Sequence, residues 1–174
     1  MSVNNKRASA ILGSPFPKST SEKIVELVFQ RLRENSWETD VIDLSKIDAE
    51  SLLIRNEDEK LDKVLKSVVQ SDLIITASPT YRATYTGLLK VFLDLLPQES
   101  LSEKLVLPIQ TGGSSDHSLT IEHGITPVMR SLGATVLTNT IYAWSSQFKE
   151  DGSPSPGIIE LINNSVKELD FLLN

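Results

Sequence analysis

The sequence predicts an α/β fold, with one doubly wound parallel sheet of five strands and helices on both of its faces. Two observations indicate this fold. Segments with the apolar pattern of strands alternate five times with segments of helical periodicity. The strand segments are continuous apolar runs, as expected for a sheet that helices cover on both sides. The chain has 174 residues and no repeat or linker, so we expect a single domain over residues 1–174.

The first half of the chain supplies three predicted strands and two helices. In chain order they are a strand at 8–12, a helix from 19–21 to about 33, a strand at 37–44, a helix at 59–70 and a strand at 73–77. Gly13-Ser14-Pro15 is a turn signal behind the first strand, and a Ser/Thr cluster with Glu22 is typical of a helix start. Polar residues 48–56 are interpreted as a connection.

The second half supplies two strands and three helices. The elements are a helix at 87–96 stopped by Pro97, a strand at 105–109, a helix at 119–132, a strand at 135–142 and a helix at 158–173. Pro127 is expected to kink or break its helix because proline lacks the backbone N–H. The last strand is the least regular, with Thr138-Asn139-Thr140 at its centre.

Composition excludes several classes of function. The net charge is −6 and no basic tail is present, so we expect no nucleic-acid partner. The absence of cysteine excludes disulfides, thiol nucleophiles and cysteine metal sites. No apolar run approaches the roughly 20 residues of a membrane span, and the amino terminus has too short an apolar stretch for a signal peptide. We therefore expect a cytoplasmic protein that does not bind membranes.

Three loops should share one edge of the sheet, because ligands of such folds bind at the carboxyl ends of the strands where strand order reverses. The first loop, residues 13–21, contains Ser14, Ser19, Thr20, Ser21 and Lys18, and it opens a helix whose N-terminus favours an anion. Phosphate binding and ordinary helix capping both explain this cluster. It matches neither G-x-x-x-x-G-K-[ST] nor G-x-G-x-x-G, so triphosphate hydrolysis and the dinucleotide fingerprint are disfavoured.

The other two loops suit a flat polar ligand. Residues 78–85 contain two tyrosines and an arginine, which offer flat faces and outward donors. Residues 111–115 contain Gly112-Gly113, where backbone N–H groups can approach a ring edge. Each loop could be a plain turn, but the three together match the parts of flavin mononucleotide (FMN). We predict no catalytic acid or base and no metal site, because a flavin carries its own hydride chemistry.

Four segments occur in an order that carries a family resemblance. They are GSPFPKSTS (13–21), SPTYRATYTGLLKVFLDLLP (78–97), LPIQTGGSSDHSL (107–119) and PVMRSLGA (127–134). They resemble the NADPH-dependent FMN reductase family of flavodoxin-like fold, and among its members the alkanesulfonate-type reductases. The resemblance implies transfer of hydride from NADPH or NADH to FMN, with the reduced flavin passing to a partner monooxygenase.

The resemblance also implies positions for the ligand. Ser14, Ser19, Thr20 and Ser21 would surround the phosphate of FMN. Pro79, Thr80, Tyr81 and Arg82 would line the isoalloxazine, and Thr111, Gly112, Gly113 and Ser114 would meet its other edge. Many relatives carry an arginine in the first loop where this chain has Thr20, and Lys18 is a candidate substitute.

Two further positions follow from the resemblance. Tyr85 matches a tyrosine at a one-residue helix insertion, which implies a homodimer or homotetramer through the helix of Leu88, Leu89, Phe92 and Leu96; that apolar face could equally be core. His117 matches a family histidine and is either a helix-start residue bonded to backbone or a ligand contact.

Two other functions compete with a reductase that uses free FMN. A reductase of the same fold could keep FMN as a prosthetic group and reduce quinones, azo dyes or metal oxyanions. A noncatalytic receiver-like or flavodoxin-like signalling module is the second alternative. A receiver needs an acidic pair after the first strand and an aspartate after the third, where this chain has Gly13-Ser14-Pro15 and Ser78-Pro79.

Overall fold

A parallel β-sheet forms the centre of the protein in a computed structural model that describes residues 6–173. Its strands are β1 (Arg7–Leu12), β2 (Glu38–Asp43), β3 (Leu73–Pro79), β4 (Leu105–Gly112), β5 (Thr135–Val136) and β6 (Ile141–Trp144). The strand order is β2-β1-β3-β4-β5, and β6 also pairs with β4. All these pairs are parallel. The doubly wound prediction is confirmed, with the reversal of strand order between β1 and β3.

Helices cover both faces of this sheet. They are α1 (Thr20–Glu34), α2 (Ala49–Leu52), α3 (Glu59–Val69), α4 (Gly87–Leu93), α5 (Thr126–Ser131) and α6 (Pro156–Leu173). Helices α1 and α6 pack on one face in a cluster of buried apolar residues, and α3, α4 and α5 pack on the other. No helix among residues 6–173 combines the length and apolarity needed to cross a membrane.

The predicted fifth strand is interrupted, which corrects the sequence interpretation. Residues 137–140 separate β5 from β6, although both segments pair with β4. The Glu168 carboxylate of α6 accepts the N–H groups of Thr138 and Asn139, both at 2.7 Å, and the Ser165 hydroxyl donates to the Asn139 carbonyl at 2.6 Å. Burial acts to raise the pKa of Glu168, but these hydrogen bonds outweigh it and hold that pKa below its ordinary value. Side chains of α6 therefore replace the missing strand bonds.

Strands β3 and β4 run further toward the candidate site than the apolar runs indicated. Ser78 and Pro79 belong to β3 and were predicted as loop, and β4 continues through Gly112. Pro79 is the last residue of its strand and pairs with Thr111, so the N–H that proline lacks costs a ladder bond only at the strand end. Pairing with a neighbouring strand explains both extensions, because polar residues in the middle of a sheet gain ladder hydrogen bonds that a hydropathy pattern does not display.

Helix boundaries differ in smaller ways. Helix α4 ends at Leu93, three residues before the predicted end, and the polar connection at 48–56 contains the one-turn helix α2. The helix predicted at 119–132 consists of a π turn, Ile121–Ile125, followed directly by α5.

The π turn lies where Pro127 disturbs the helix. The Thr126 N–H bonds to the Ile121 carbonyl, five residues back. Pro127 has no N–H for the His123 carbonyl four residues before it, and its ring would collide with that carbonyl in a regular α-helix. A wider turn immediately before the proline relieves both conflicts. The disturbance expected at Pro127 thus takes the form of a π turn that continues directly into α5.

Candidate active site

Three loops meet at the carboxyl edge of the sheet, and hydrogen bonds join them. The Thr86 hydroxyl, at the N-cap of α4, donates to the Gly13 carbonyl at 2.6 Å. The Thr80 N–H donates to the Thr111 carbonyl at 2.6 Å, which joins the ends of β3 and β4. The Thr120 hydroxyl donates to the Ala83 carbonyl at 2.9 Å. These bonds fix the relative positions of the loops after β1, β3 and β4.

The loop after β1 forms the start of α1. Ser19 is the N-cap, and its hydroxyl accepts the Glu22 N–H at 3.2 Å and lies 3.1 Å from the Ser21 hydroxyl. The N–H groups of Thr20 and Ser21 lie in the first turn, where a helix offers no internal acceptor. The Ser14 hydroxyl donates to the Phe16 carbonyl at 2.8 Å and accepts the Phe16 N–H at 3.1 Å. Helix capping is thus confirmed for Ser19, and the first turn keeps donors for an anion.

The loop after β3 presents its side chains on a tight turn. Tyr81 and Thr84 exchange backbone hydrogen bonds of 2.8 and 3.2 Å. Arg82 and Ala83 between them both have positive φ, 52° and 65°, as in a type I′ turn. Non-glycine residues in this conformation cost on the order of 1 kcal/mol each. Tyr81 and Arg82 are both exposed in this turn, so their side chains are available at this edge of the sheet.

The two glycines at the end of β4, Gly112 in the strand and Gly113 just after it, have different surroundings. A Cβ on Gly112 would overlap the Tyr142 hydroxyl, whereas a Cβ on Gly113 would meet no atom within 4 Å. Glycine at position 112 therefore makes room for a tyrosine of β6. Open space for a ligand lies beside Gly113.

Four side chains that organise the site were not identified from the sequence. The hydroxyls of Thr86 and Thr120 join the loops. Tyr142 on β6 and Ser145, the residue after β6, bond to the loop of residues 111–115, which we call the glycine loop. A threonine one residue before a predicted helix is an N-cap signal and could have identified Thr86. The other three act through partners between 28 and 37 residues away, which no local pattern reveals.

The placement of Tyr85 at a helix insertion is wrong. The π turn lies at Ile121–Ile125, and Tyr85 precedes the N-cap of a regular helix. The Tyr85 ring packs against Gly124 of that turn, since a Cβ there would lie 3.4 Å from Tyr85 Cδ1. Burial raises the pKa of Tyr85, opposed by the charge of Lys90. His117 is the exposed last residue of a short 3₁₀ turn, which Ser114 caps, so it does not start a helix.

The features of this edge fit a ligand with an anionic end and a flat polar ring. The Thr80 hydroxyl is buried and makes no hydrogen bond of ordinary geometry, although it is close enough to the Tyr142 phenol to act on that group's pKa. The free donors of α1 lie across the strand-order reversal. Among residues 6–173, no cluster of three or more histidine or carboxylate side chains is arranged to hold a metal ion. A groove of about 690 Å³ between the start of α3 and Leu95 lies elsewhere and includes none of these residues. The donor set suits a flavin phosphate and ring.

Comparison with known proteins points to the same chemistry. The model of a family described as NADPH-dependent FMN reductase matches residues 7–149. A Pseudomonas putida protein named FMN reductase (NADPH) is 36% identical over 139 residues, 79% of this chain and 71% of its own. An Escherichia coli protein of the same name is 34% identical over 142 residues, covering 81% and 74%. A solved apo structure of an NADH:FMN oxidoreductase superimposes with a TM-score of 0.87 at 32% identity, over 95% of this chain and 90% of that one.

Proposed function

This chain belongs to the NADPH-dependent FMN reductase family, and from that premise we propose where its substrates bind and how its residues serve them. The enzyme is an NAD(P)H-dependent FMN reductase. FMN binds at the carboxyl edge of the sheet, across the reversal between β1 and β3. The observation that carries this placement is the set of hydrogen bonds that joins the three loops there.

The first loop holds the phosphate. Ser14, Ser19, Thr20 and Ser21 supply hydroxyls, and the first turn of α1 supplies free N–H groups and the positive end of its dipole. Lys18 is exposed immediately before Ser19, and we assign its charge the place at the helix entrance that the resemblance gives to an arginine. Ser19 therefore serves both as the helix cap and as a phosphate ligand.

The second and third loops hold the ring. Pro79, Thr80, Tyr81 and Arg82 lie along one side of it, and Thr111, Gly112, Gly113 and Ser114 meet the other edge. The buried Thr80 hydroxyl gains a partner when a polar ring edge approaches it. The strained turn keeps Tyr81 and Arg82 outward, so one face of the ring remains open for the nicotinamide.

None of these residues is a catalytic acid or base. A bound flavin supplies the hydride-accepting chemistry itself, so the chain contributes orientation and electrostatics. Arg82 and Lys18 are the charged side chains of the loops, and they attract the phosphates of FMN and NADPH. Substitution of Arg82 or Lys18 should therefore raise KM more than it lowers kcat.

Steady-state oxidation of NADPH and NADH, each with and without added FMN, tests the function. We expect protein that is colourless after purification and turnover that requires added FMN. Yellow protein that turns over quinones or azo dyes without added FMN would favour the reductase with a prosthetic FMN. Failure to bind FMN or oxidise either nicotinamide would contradict the proposal.

Helix α4 carries a surface for self-association into a homodimer or homotetramer. Leu89, Phe92 and Leu96 are buried in the core, so most of the face expected at an interface packs internally. Leu88, Val91 and Leu95 remain half-buried at a spacing of three and four residues, next to Tyr85. Sedimentation of the wild type and Tyr85→Ala tests this interface, and a wild-type monomer at micromolar concentration would contradict it.

The reduced flavin leaves to a partner monooxygenase. This step rests on the resemblance to alkanesulfonate-type reductases and on the exposure of the loop tips that would release the product. Coupled turnover in air with a candidate flavin-dependent monooxygenase tests it, and consumption of NADPH without monooxygenase product would contradict it.

A further inference from the structure

Two hydroxyl groups at the end of β6 bond to consecutive carbonyls of the glycine loop. The Tyr142 hydroxyl donates to the Ser114 carbonyl at 2.9 Å, and the Ser145 hydroxyl donates to the Gly113 carbonyl at 3.1 Å. Neither side chain belongs to the three loops that the sequence brings to this edge. Tyr142 lies on β6, which pairs with β4, and Ser145 is the residue directly after β6.

The register of the sheet explains how Tyr142 reaches this loop. Tyr142 pairs with Gln110, so its side chain stands on the same face of the sheet as Gln110 and Gly112. The phenol extends over Gly112, which has no side chain to block it, and the ring lies in the space where a Cβ would project. Gly112 and Tyr142 are therefore a matched pair, because a larger residue at 112 would displace the hydroxyl from Ser114.

Peptide geometry determines what these bonds do. Each peptide unit is planar and trans, so its N–H points opposite to its C=O. When Ser145 holds the Gly113 carbonyl toward β6, the Ser114 N–H of the same unit points toward the β3 side, where the loop of Thr80 lies. The bond from the Tyr142 phenol to the Ser114 carbonyl likewise turns the Ser115 N–H away from that phenol. Gly113 between the strand end and these two units is exposed, and a Cβ there would meet no atom within 4 Å, so a ligand can approach the loop at this point.

We propose that Tyr142 and Ser145 are positioning residues that aim the N–H groups of the glycine loop at the ring edge of the bound flavin. The proposal rests on the flavin placement of the proposed function. It assigns neither residue a contact with the reacting atoms. The Tyr142 oxygen also lies near the unpartnered Thr80 hydroxyl, so it can couple the loops after β3 and β4.

The energetic consequence is a loss of preorganisation when either hydroxyl is removed. The glycine loop would then sample orientations in which carbonyls, not N–H groups, face the flavin. Burial raises the pKa of Tyr142, with the Thr80 hydroxyl opposing it, so the phenol remains protonated and a donor throughout the neutral range.

Equilibrium binding of oxidised FMN and of riboflavin, measured by flavin fluorescence without turnover, tests this. Tyr142→Phe should weaken both ligands by the same factor, about fivefold to tenfold, the equivalent of one hydrogen bond. An equal factor is expected because the ring edge is common to both ligands. A change below twofold for both ligands, or a loss confined to FMN, would overturn the proposal.

A double-mutant cycle separates positioning from general damage. Gly112→Ala should weaken flavin binding in the wild type, where the new Cβ meets the Tyr142 hydroxyl. The same change should have a much smaller effect in Tyr142→Phe, where the nearest remaining ring atom is Cζ at 3.2 Å. Additive effects of the two changes would overturn the pairing of Gly112 with Tyr142.

Ser145→Ala and Ser165→Ala form a matched control. Both remove a serine hydroxyl that donates to a backbone carbonyl, but Ser165 bonds to Asn139 between β5 and β6. Ser145→Ala should weaken both flavins about twofold to fivefold, and Ser165→Ala should lower the melting temperature without changing either dissociation constant. If Tyr142→Phe does not fold, the Ser145→Ala variant tests the proposal instead. Flavin dissociation constants that are unchanged in Ser145→Ala would then overturn the proposal. A wild type that binds no flavin would contradict the proposed function instead.

Discussion

The two faces of the sheet differ in what their strands bury. On the face that α1 and α6 cover, β1, β3 and β4 present mostly apolar side chains, and Thr111 near the end of β4 is the exception. The apolar residues are Ala8, Ala10, Leu12, Leu73, Ile75, Ala77, Leu105, Leu107 and Ile109. On the face that α4 and α5 cover, β3 and β4 begin apolar and end polar, with Thr76 and Ser78 on β3 and Gln110 on β4. The second face therefore carries more buried polar groups close to the candidate site.

The polar face is only partly satisfied. The Ser78 hydroxyl accepts the Thr86 N–H and donates to the Pro79 carbonyl. The Thr76 hydroxyl and both amide atoms of Gln110 are buried without a hydrogen-bond partner in the described protein. Such groups cost stability. Both faces bury an apolar cluster that stabilises the fold, but the face that α4 and α5 cover also carries these unpartnered polar groups beneath the loops of the candidate site.

The largest effect should come from the apolar face. Ile75→Ala removes a fully buried side chain between β1 and β4 and should lower the free energy of unfolding by roughly 2–5 kcal/mol. Denaturant unfolding measures this loss. Flavin affinity, measured well below the unfolding midpoint, should remain within a factor of two. A loss of affinity as large as that of a site substitution would show that the two faces are not separate in function.

Ser19→Ala should produce the next largest effect, and on two quantities. Loss of the phosphate contact should cost roughly 1–2 kcal/mol of FMN binding and almost nothing for riboflavin, which has no phosphate. Loss of the N-cap should also cost about 1 kcal/mol of stability.

Asp58→Ala is the matched control for Ser19→Ala. Asp58 caps α3 by accepting the N–H groups of Lys60 and Leu61, away from the site. It should lose similar stability and no FMN affinity. Equal losses for FMN and riboflavin in Ser19→Ala would place the phosphate elsewhere.

Arg82 tests whether the strained turn serves binding. Arg82→Ala and Arg82→Gly both remove the guanidinium and should raise the apparent KM for FMN or NADPH by up to about tenfold, with a smaller effect on kcat. Glycine suits the positive φ of this position, so Arg82→Gly should be more stable than Arg82→Ala by about 1 kcal/mol. Steady-state kinetics with both substrates varied measure the first effect. A large fall in kcat with both KM values unchanged would mean that Arg82 acts in the transition state.

The smallest effect should be a gain. Gln110→Met and Thr76→Val replace buried polar groups that have no protein partner by apolar groups of similar size, so each should raise stability by up to about 1 kcal/mol. Ser9→Ala is the contrasting variant, because the Ser9 hydroxyl on the same face bonds to the Ser71 hydroxyl at 2.7 Å. It should destabilise the protein. A clear loss of stability in Gln110→Met would show that its amide has a partner that supports the fold.

The sequence by itself determined the order of the elements and the sheet edge at which the three candidate loops meet. Strand and helix periodicity depend on residues within a few positions of one another, so the apolar runs at 8–12, 73–77 and 105–109 could be read directly. The position of the site followed from a rule of parallel sheets, since loops after β1, β3 and β4 must emerge at one edge. Neither prediction required knowledge of a contact between side chains.

Only the tertiary structure decided the details that depend on distant partners. The break between β5 and β6 is capped by Glu168, 30 residues from Thr138. The difference between Gly112 and Gly113 depends on Tyr142, whose hydroxyl reaches Ser114 across 28 residues of chain. In the sequence the two glycines are equivalent neighbours. In the folded protein the Tyr142 hydroxyl lies against Gly112, whereas Gly113 has no neighbour at this position. The difference arises because the environment of a residue depends on the register of the strand beside it, and local sequence does not specify that register.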